Sequence, residues 1–199
     1  MPEELIDVIG NWIENFGATL GAIGETRLIA GEDDLAHILV ILGNGNQSLG
    51  NVIQGLVEKE EVNAWLGNWL QAGGNAAISA TEYEVFKGRL DETTGSYNKI
   101  YGDVTQSVGA FLAALGRLDD QPKRVIGNVI QSLGAALGAI GSLYVLNNEE
   151  LKGQQLQAVG GWLQSIGTAL QAIGATRRYL YGEGVDDESD TAEDEPDND

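Results

Sequence analysis

Hydrophobic residues along this chain recur at three- and four-residue steps, and glycine rather than charge stands beside them. On a helical wheel with Gly10 at zero, Trp12, Ile13, Phe16, Leu20 and Ile23 fall at about 200–300°. Gly10, Gly17, Gly21 and Gly24 occupy about 320–20°, and Asn11, Glu14, Asn15, Ala18, Ala22 and Thr26 about 40–160°. Each such segment is therefore a helix with an apolar ridge, a smooth glycine groove beside it and a polar back. Acidic and proline start signals divide the chain into about six helices. They open at Pro2-Glu3-Glu4, Asp33-Asp34, residues 58–61, Glu82-Tyr83-Glu84, Asp119-Asp120 with Pro122, and residues 147–150. Arg27, Arg117 and Arg177-Arg178 fall at the expected C-termini, so the helix dipole accounts for the paired carboxylates without catalysis.

The pattern is repetitive. Gly10-Asn-Trp-Ile-Glu-Asn-Phe-Gly17-Ala-Thr-Leu-Gly-Ala-Ile-Gly24-Glu-Thr-Arg27 returns as Gly160-Gly-Trp-Leu-Gln-Ser-Ile-Gly167-Thr-Ala-Leu-Gln-Ala-Ile-Gly174-Ala-Thr-Arg177. A third copy starts at Gly127, and shorter ones at Gly43 and Gly67. Twenty of the 28 glycines keep a seven-residue count, including Gly88, Gly95, Gly102, Gly109 and Gly116. Positions seven apart return to one side of a helix, with a drift that favours a left-handed, coiled-coil-like wrap. Glycine costs a helix interior about 0.5–1 kcal/mol against alanine, so these glycines imply close backbone approach. Unequal spacing between copies suits antiparallel hairpins and not a uniform solenoid. The expected fold is all-α: six antiparallel helices over residues 1–182, then a disordered acidic tail at 183–199.

The recurring Gly-Asn-Trp-Ile/Leu-Gln-x-x-Gly-x-x-Leu-x-Ala-Ile-Gly phrase resembles a glycine-heptad repetitive family of unknown function, found in spore-forming bacilli and salt-loving archaea. The likeness spans residues 10–177, carries no active-site motif and implies no activity.

Composition narrows the chemistry. The 199 residues include no cysteine and one histidine, which removes disulfides, thiolate metal sites and a His pair. The net charge of −19 argues against nucleic acid, and ten acids crowd into residues 183–199 with no base. Such an acidic balance also suits a salt-rich cytoplasm. An acidic start, with no apolar leader, points to a soluble, cytoplasmic protein. Residues 35–50 imitate a strand and a phosphate loop, but Gly43 and Gly50 keep the heptad and no P-loop lysine follows, so a helix is expected. His37 projects onto the polar back as a solvent-facing or locally bonded residue. No catalytic, cofactor-binding or metal residue is assigned, and no enzyme activity, cofactor or small-molecule substrate is expected.

Trp12, Trp69 and Trp162 share one repeat position at the border of the apolar and polar arcs. That placement suits ring packing at the edge of a core, or anchoring at a lipid surface. Charge-free stretches at 35–57, 62–81, 125–148 and 153–176 reach membrane-spanning length, yet they carry asparagine and glutamine, and mean hydropathy is −0.12. Neutral polar backs suit burial between helices, an oligomer or a lipid surface, and independent spans fit least. The expected role is a non-catalytic structural or interaction protein that self-associates or binds a protein partner. The alternative is an amphipathic protein at a membrane or lipid surface.

Overall fold

The computed structural model describes residues 1–31, 34–119 and 121–182. The described chain holds six helices: α1 (Glu3–Ala30), α2 (Asp34–Val57), α3 (Val62–Phe86), α4 (Glu92–Leu115), α5 (Pro122–Leu146) and α6 (Glu150–Tyr181). Each packs on its two neighbours in chain order, and α6 packs back on α1, closing a ring. The protein is all-α, as the glycine heptads and start signals predict.

Two kinds of seam alternate around that ring. Within the hairpins, glycines meet glycines in antiparallel register. Gly10 faces Gly50 and Gly17 faces Gly43 between α1 and α2, Gly67 faces Gly109 between α3 and α4, and Gly127, Gly134 and Gly141 face Gly167, Gly160 and Gly153 between α5 and α6. The approach leaves no room for a side chain: a Cβ built on Gly134 would stand 2.5 Å from the Gly160 carbonyl oxygen. Between hairpins, hydroxyls clasp the opposite backbone. Ser48 and Ser79 donate to the Ala72 and Ile41 carbonyls at 2.9 and 2.8 Å across α2 and α3. Ser107 and Ser132 donate to each other's carbonyls at 2.9 Å across α4 and α5. Small residues that admit a neighbouring backbone, with hydroxyls as glue, hold helices together without a large apolar core.

The apolar ridge does not form the core. Of the sixteen buried apolar residues among those described, thirteen are alanine, and the largest apolar cluster is Leu28, Ala36 and Val40. The polar back turns inward instead, burying Asn11, Glu14, Asn51, Gln54, Asn68, Gln71, Gln106, Asn128, Gln131 and Gln171. Thirty-four large apolar residues among those described stay exposed, Phe16 by 59% and Leu42 by 51%. Once the glycine groove and the hydroxyl seam take a helix's two flanks, the remaining arcs can only face the axis or the outside. Gln54, Gln106, Gln131 and Gln171 find hydrogen-bond partners on other helices across the axis, and the ridge is left outside.

Helix boundaries follow the start signals with one displacement. Glu82-Tyr83-Glu84 does not open α4 but lies in the last turns of α3, because Glu82 points inward and is bonded there. The turn falls at Gly88, whose φ of 65° is the left-handed conformation glycine tolerates, so this glycine ends a hairpin arm and lies in no seam. Asp91 then caps α4, its carboxylate accepting from the Thr94 N–H at 2.9 Å. Arg117 complements the C-terminus of α4 as expected, donating to the Ala113 carbonyl at 3.2 Å, but from inside the ring at 1% exposure. Asp33, Asp120 and the acidic tail at 183–199 lie outside the described residues.

Candidate functional site

The inward-facing residues obey a simple phase. They stand one and four positions after each register glycine, as Asn11 and Glu14 follow Gly10, Asn51 and Gln54 follow Gly50, and Asn128 and Gln131 follow Gly127. The result is an amide-lined axis. Charged residues replace amides at a few of these positions, and two charged clusters result.

The first lies toward the end where the chain begins. Glu14 accepts from Gln54 and Gln131 Nε2, one on each carboxylate oxygen, both at 2.6 Å, and Gln171 donates to Gln131 Oε1 at 2.6 Å. Glu14 on α1 thus reaches α5, which is not its neighbour, so long side chains cross and fill the axis. Below them Arg124 grips Asp7 with two bonds of 2.9 and 3.2 Å, again from α5 to α1. Arg117 approaches Glu58 at 3.6 Å. Paired, hydrogen-bonded charges are the form in which ions tolerate burial.

The second cluster stands toward the other end. Glu82 is shared: His37 Nδ1–H donates to Oε1 at 2.7 Å, and Lys99 Nζ donates to Oε2 at 3.3 Å. His37 also stacks on Phe86, with ring centroids 5.5 Å apart. It therefore does not face solvent, one of the two placements its polar-back position suggests, but joins α2 to α3. Glu25 and Asp103 lie within electrostatic reach of the same Lys99. Their carboxylates rest against two glycines, where a Cβ on Gly161 would strike Glu25 and one on Gly138 would come 3.0 Å from Asp103. Of the three carboxyl groups around that ammonium, Glu82 is the one it bonds.

Among the described residues, a cavity of about 580 Å³ opens at one end of the ring beside His37, Glu82 and Lys99, and one of about 400 Å³ at the other between Glu3, Glu58, Arg124 and Arg178. Between them the space shrinks to about 20 Å³ among Glu25, Gln47, Lys99 and Asp103. No three His, Asp or Glu residues among those described stand together as a metal site. The mock phosphate loop, residues 43–50, lies inside α2 with its end glycines packed on α1. What the axis offers chemically is a cross-braced polar interior, wide at both mouths and nearly closed at mid-height.

The repeated tryptophans are placed by the repeat itself. Trp12 Nε1 donates to Thr176 Oγ1, and Trp162 Nε1 to Thr26 Oγ1, both at 3.0 Å. The two copies of the long phrase therefore face each other antiparallel across the α1–α6 seam, each indole bonded to the other copy's threonine. Asn15 bonds the Ser165 carbonyl at 2.9 Å between them. Both rings sit on the outer face at 46% and 43% exposure, and not at the edge of a core. Trp69, the third, closes over Gly55 on α2.

Neither the curated proteins nor the solved structures contain a match to this chain. A family model does, over residues 5–172, which takes in nearly all of the helical ring, and the chain belongs to that family of unknown function, DUF6944.

Proposed function

We propose that this protein is a non-catalytic structural or interaction protein whose working part is its outer surface. The observation that carries this reading is the inversion of the fold: amides and charges face the axis, and leucine, isoleucine, valine and aromatic side chains face out. Monomeric proteins in water expose apolar patches of a few hundred Å², and a belt that continues around every helix calls for an apolar environment of its own. The axial charges have structural employment. Arg124 and Asp7, Lys99 and Glu82, and Glu14 and its two glutamines brace helices that share no seam or only one. Glu82 and Lys99 line the wider mouth already engaged, each Glu82 oxygen taken by His37 or Lys99, which supports the non-catalytic reading.

The test is light scattering of the purified full chain without detergent or lipid, then with a mild detergent, across salt concentrations. The expected result is large particles in plain buffer that resolve to a single ring in detergent. A monodisperse monomer in plain buffer at every salt concentration would overturn the proposal.

A further inference from the structure

Resting on that reading, we infer that the outer belt is seated in the hydrocarbon of a lipid bilayer, with the ring spanning it and the polar axis sealed inside. A second copy of this chain could cover one side of the ring; exposed apolar residues stand on all six helices, large ones at mid-height on five and Ala76, Ala77 and Ala80 across the middle of α3. An environment that surrounds the ring evenly is a fluid apolar phase.

The belt has the height of such a phase. In α2 no Asp, Glu, Lys or Arg occurs from residue 35 to 57, a length of about 34 Å at 1.5 Å per residue, against a hydrocarbon thickness of about 30 Å. Charges that fall within the other helices, Glu14, Glu25, Glu82, Lys99 and Asp103, face the interior or are bonded there. Outward charges gather at the two ends, as with Glu4 and Glu60 at one and Arg27 and Glu92 at the other. Aromatic residues mark both borders: Trp65, Tyr179 and Tyr181 near the first end, Tyr83 and Tyr97 near the second. Indole and phenol rings favour that boundary because one edge is apolar and the other polar.

The construction also suits hydrocarbon. Every segment at belt height is continuous helix, which satisfies its own backbone, and the ring has no open edge. Glycine seams and hydroxyl clasps hold helices together where the hydrophobic effect cannot. Taken singly, only α5 is long and apolar enough to cross a membrane. That follows from the fold, because each helix donates its polar face to a shared axis, and the six together hide what none could hide alone.

The chain's lack of cysteine makes a clean test. Single cysteines at Leu42 and Leu133 report on the belt, on nearly opposite sides of the ring, and cysteines at Lys59 and Arg89 report on the two ends. The full-length variants are reconstituted in phosphatidylcholine vesicles, opened to expose both ends, and treated with a membrane-impermeant maleimide. The end cysteines are expected to label at least tenfold faster than both belt cysteines. Fluorophores on the belt cysteines are expected to be quenched by lipids brominated on the acyl chains. Belt cysteines that label as fast as the ends in vesicles would overturn the inference. So would shielding without bromine quenching, which would leave the apolar-surface reading standing and assign the belt to other copies of the chain. Free labelling in plain buffer, on a monodisperse monomer, would remove both readings.

Discussion

Replacing glycine by alanine is expected to have opposite signs at two positions of α3 and α4, and the difference isolates what the seams do. A Cβ on Gly109 would stand 2.7 Å from the Gly67 carbonyl oxygen, 2.8 Å from the Gln71 nitrogen and 2.9 Å from its Cγ. Ordinary contact starts at about 3.4 Å, and two of the three obstacles are backbone, so the helices must part by roughly 0.7 Å. Overpacking of this kind costs about 1–3 kcal/mol, and alanine's better helix propensity returns about 0.5–1 kcal/mol. Gly109→Ala should therefore destabilise, by up to about 2.5 kcal/mol, and Gly109→Leu by more. Gly73 lies in the middle of α3 with nothing within 4 Å of a built Cβ. There only the propensity remains, and Gly73→Ala should stabilise by about 0.5–1 kcal/mol. Denaturant unfolding followed by far-UV circular dichroism, in one detergent for all variants, reads the difference. If both alanines shift the midpoint the same way, the seam glycines are not serving close approach.

Lys99→Met removes the ammonium from among Glu25, Glu82 and Asp103, and should cost about 3–5 kcal/mol in the same unfolding assay. Adding Glu82→Gln should recover part of that loss, and an unchanged single variant would mean the cluster does not depend on its lysine. Trp12→Phe and Trp162→Phe each delete one indole bond to threonine and should each cost about 0.5–1.5 kcal/mol, summing in the double variant. Asp91→Ala should raise amide exchange at Thr94 and the first turn of α4. Two bonds from Thr94, backbone and hydroxyl, hold the Asp91 carboxyl below its ordinary range. Its contribution is thus full above that range and fades as pH falls through the depressed value, and protection at Thr94, corrected for the intrinsic exchange rate, that stays flat from neutral to acid pH would refute the cap.

The hairpins and their seams were legible because glycine spacing survives any ambiguity about facing: residues seven apart share a side whatever that side meets. Facing itself was not legible from hydrophobicity. The wheel separates Trp12 and Phe16 from Asn11 and Glu14, but which arc is buried depends on the other helices. A pointer existed in the amides. Surface asparagine and glutamine need keep no phase, yet here they fall one and four positions after a register glycine in helix after helix. The same count finds the axial charges, since Glu25 follows Gly24, Asp103 follows Gly102, and Glu14 and Lys99 stand four beyond Gly10 and Gly95. The pairing of Lys99 with Glu82 was beyond reach, because it depends on which hairpins become neighbours. Acid at 82–84 read as a helix start for a related reason: a buried carboxylate and a capping one look alike in one dimension.

A strict repeat carries a cost of its own, which points to a role for these exceptions. If α1 slid one heptad along α2, Gly10 would meet Gly43 in place of Gly50, and Glu14 would find Gln47 where Gln54 had been. The seam would look almost unchanged, so glycines fix the closeness of helices but only weakly their register. Residues that break the repeat have no such freedom. The same slide along α6 would take Trp12 from Thr176 to Ala169, and Arg124 has one aspartate on α1 to grip, Asp7. Lys99, in a position filled elsewhere by glutamine, meets Glu82 in a single alignment. Buried polar pairs are best attested in this office, selecting one register among near-equals. A chain carrying Asp7→Asn, Arg124→Gln, Trp12→Leu, Trp162→Leu, Lys99→Gln and Glu82→Gln is therefore expected to keep its helical circular dichroism. Its methyl resonances should multiply or broaden as several registers coexist. A single sharp set of methyl signals from that variant would show that the glycine heptads and hydroxyl clasps select the register unaided.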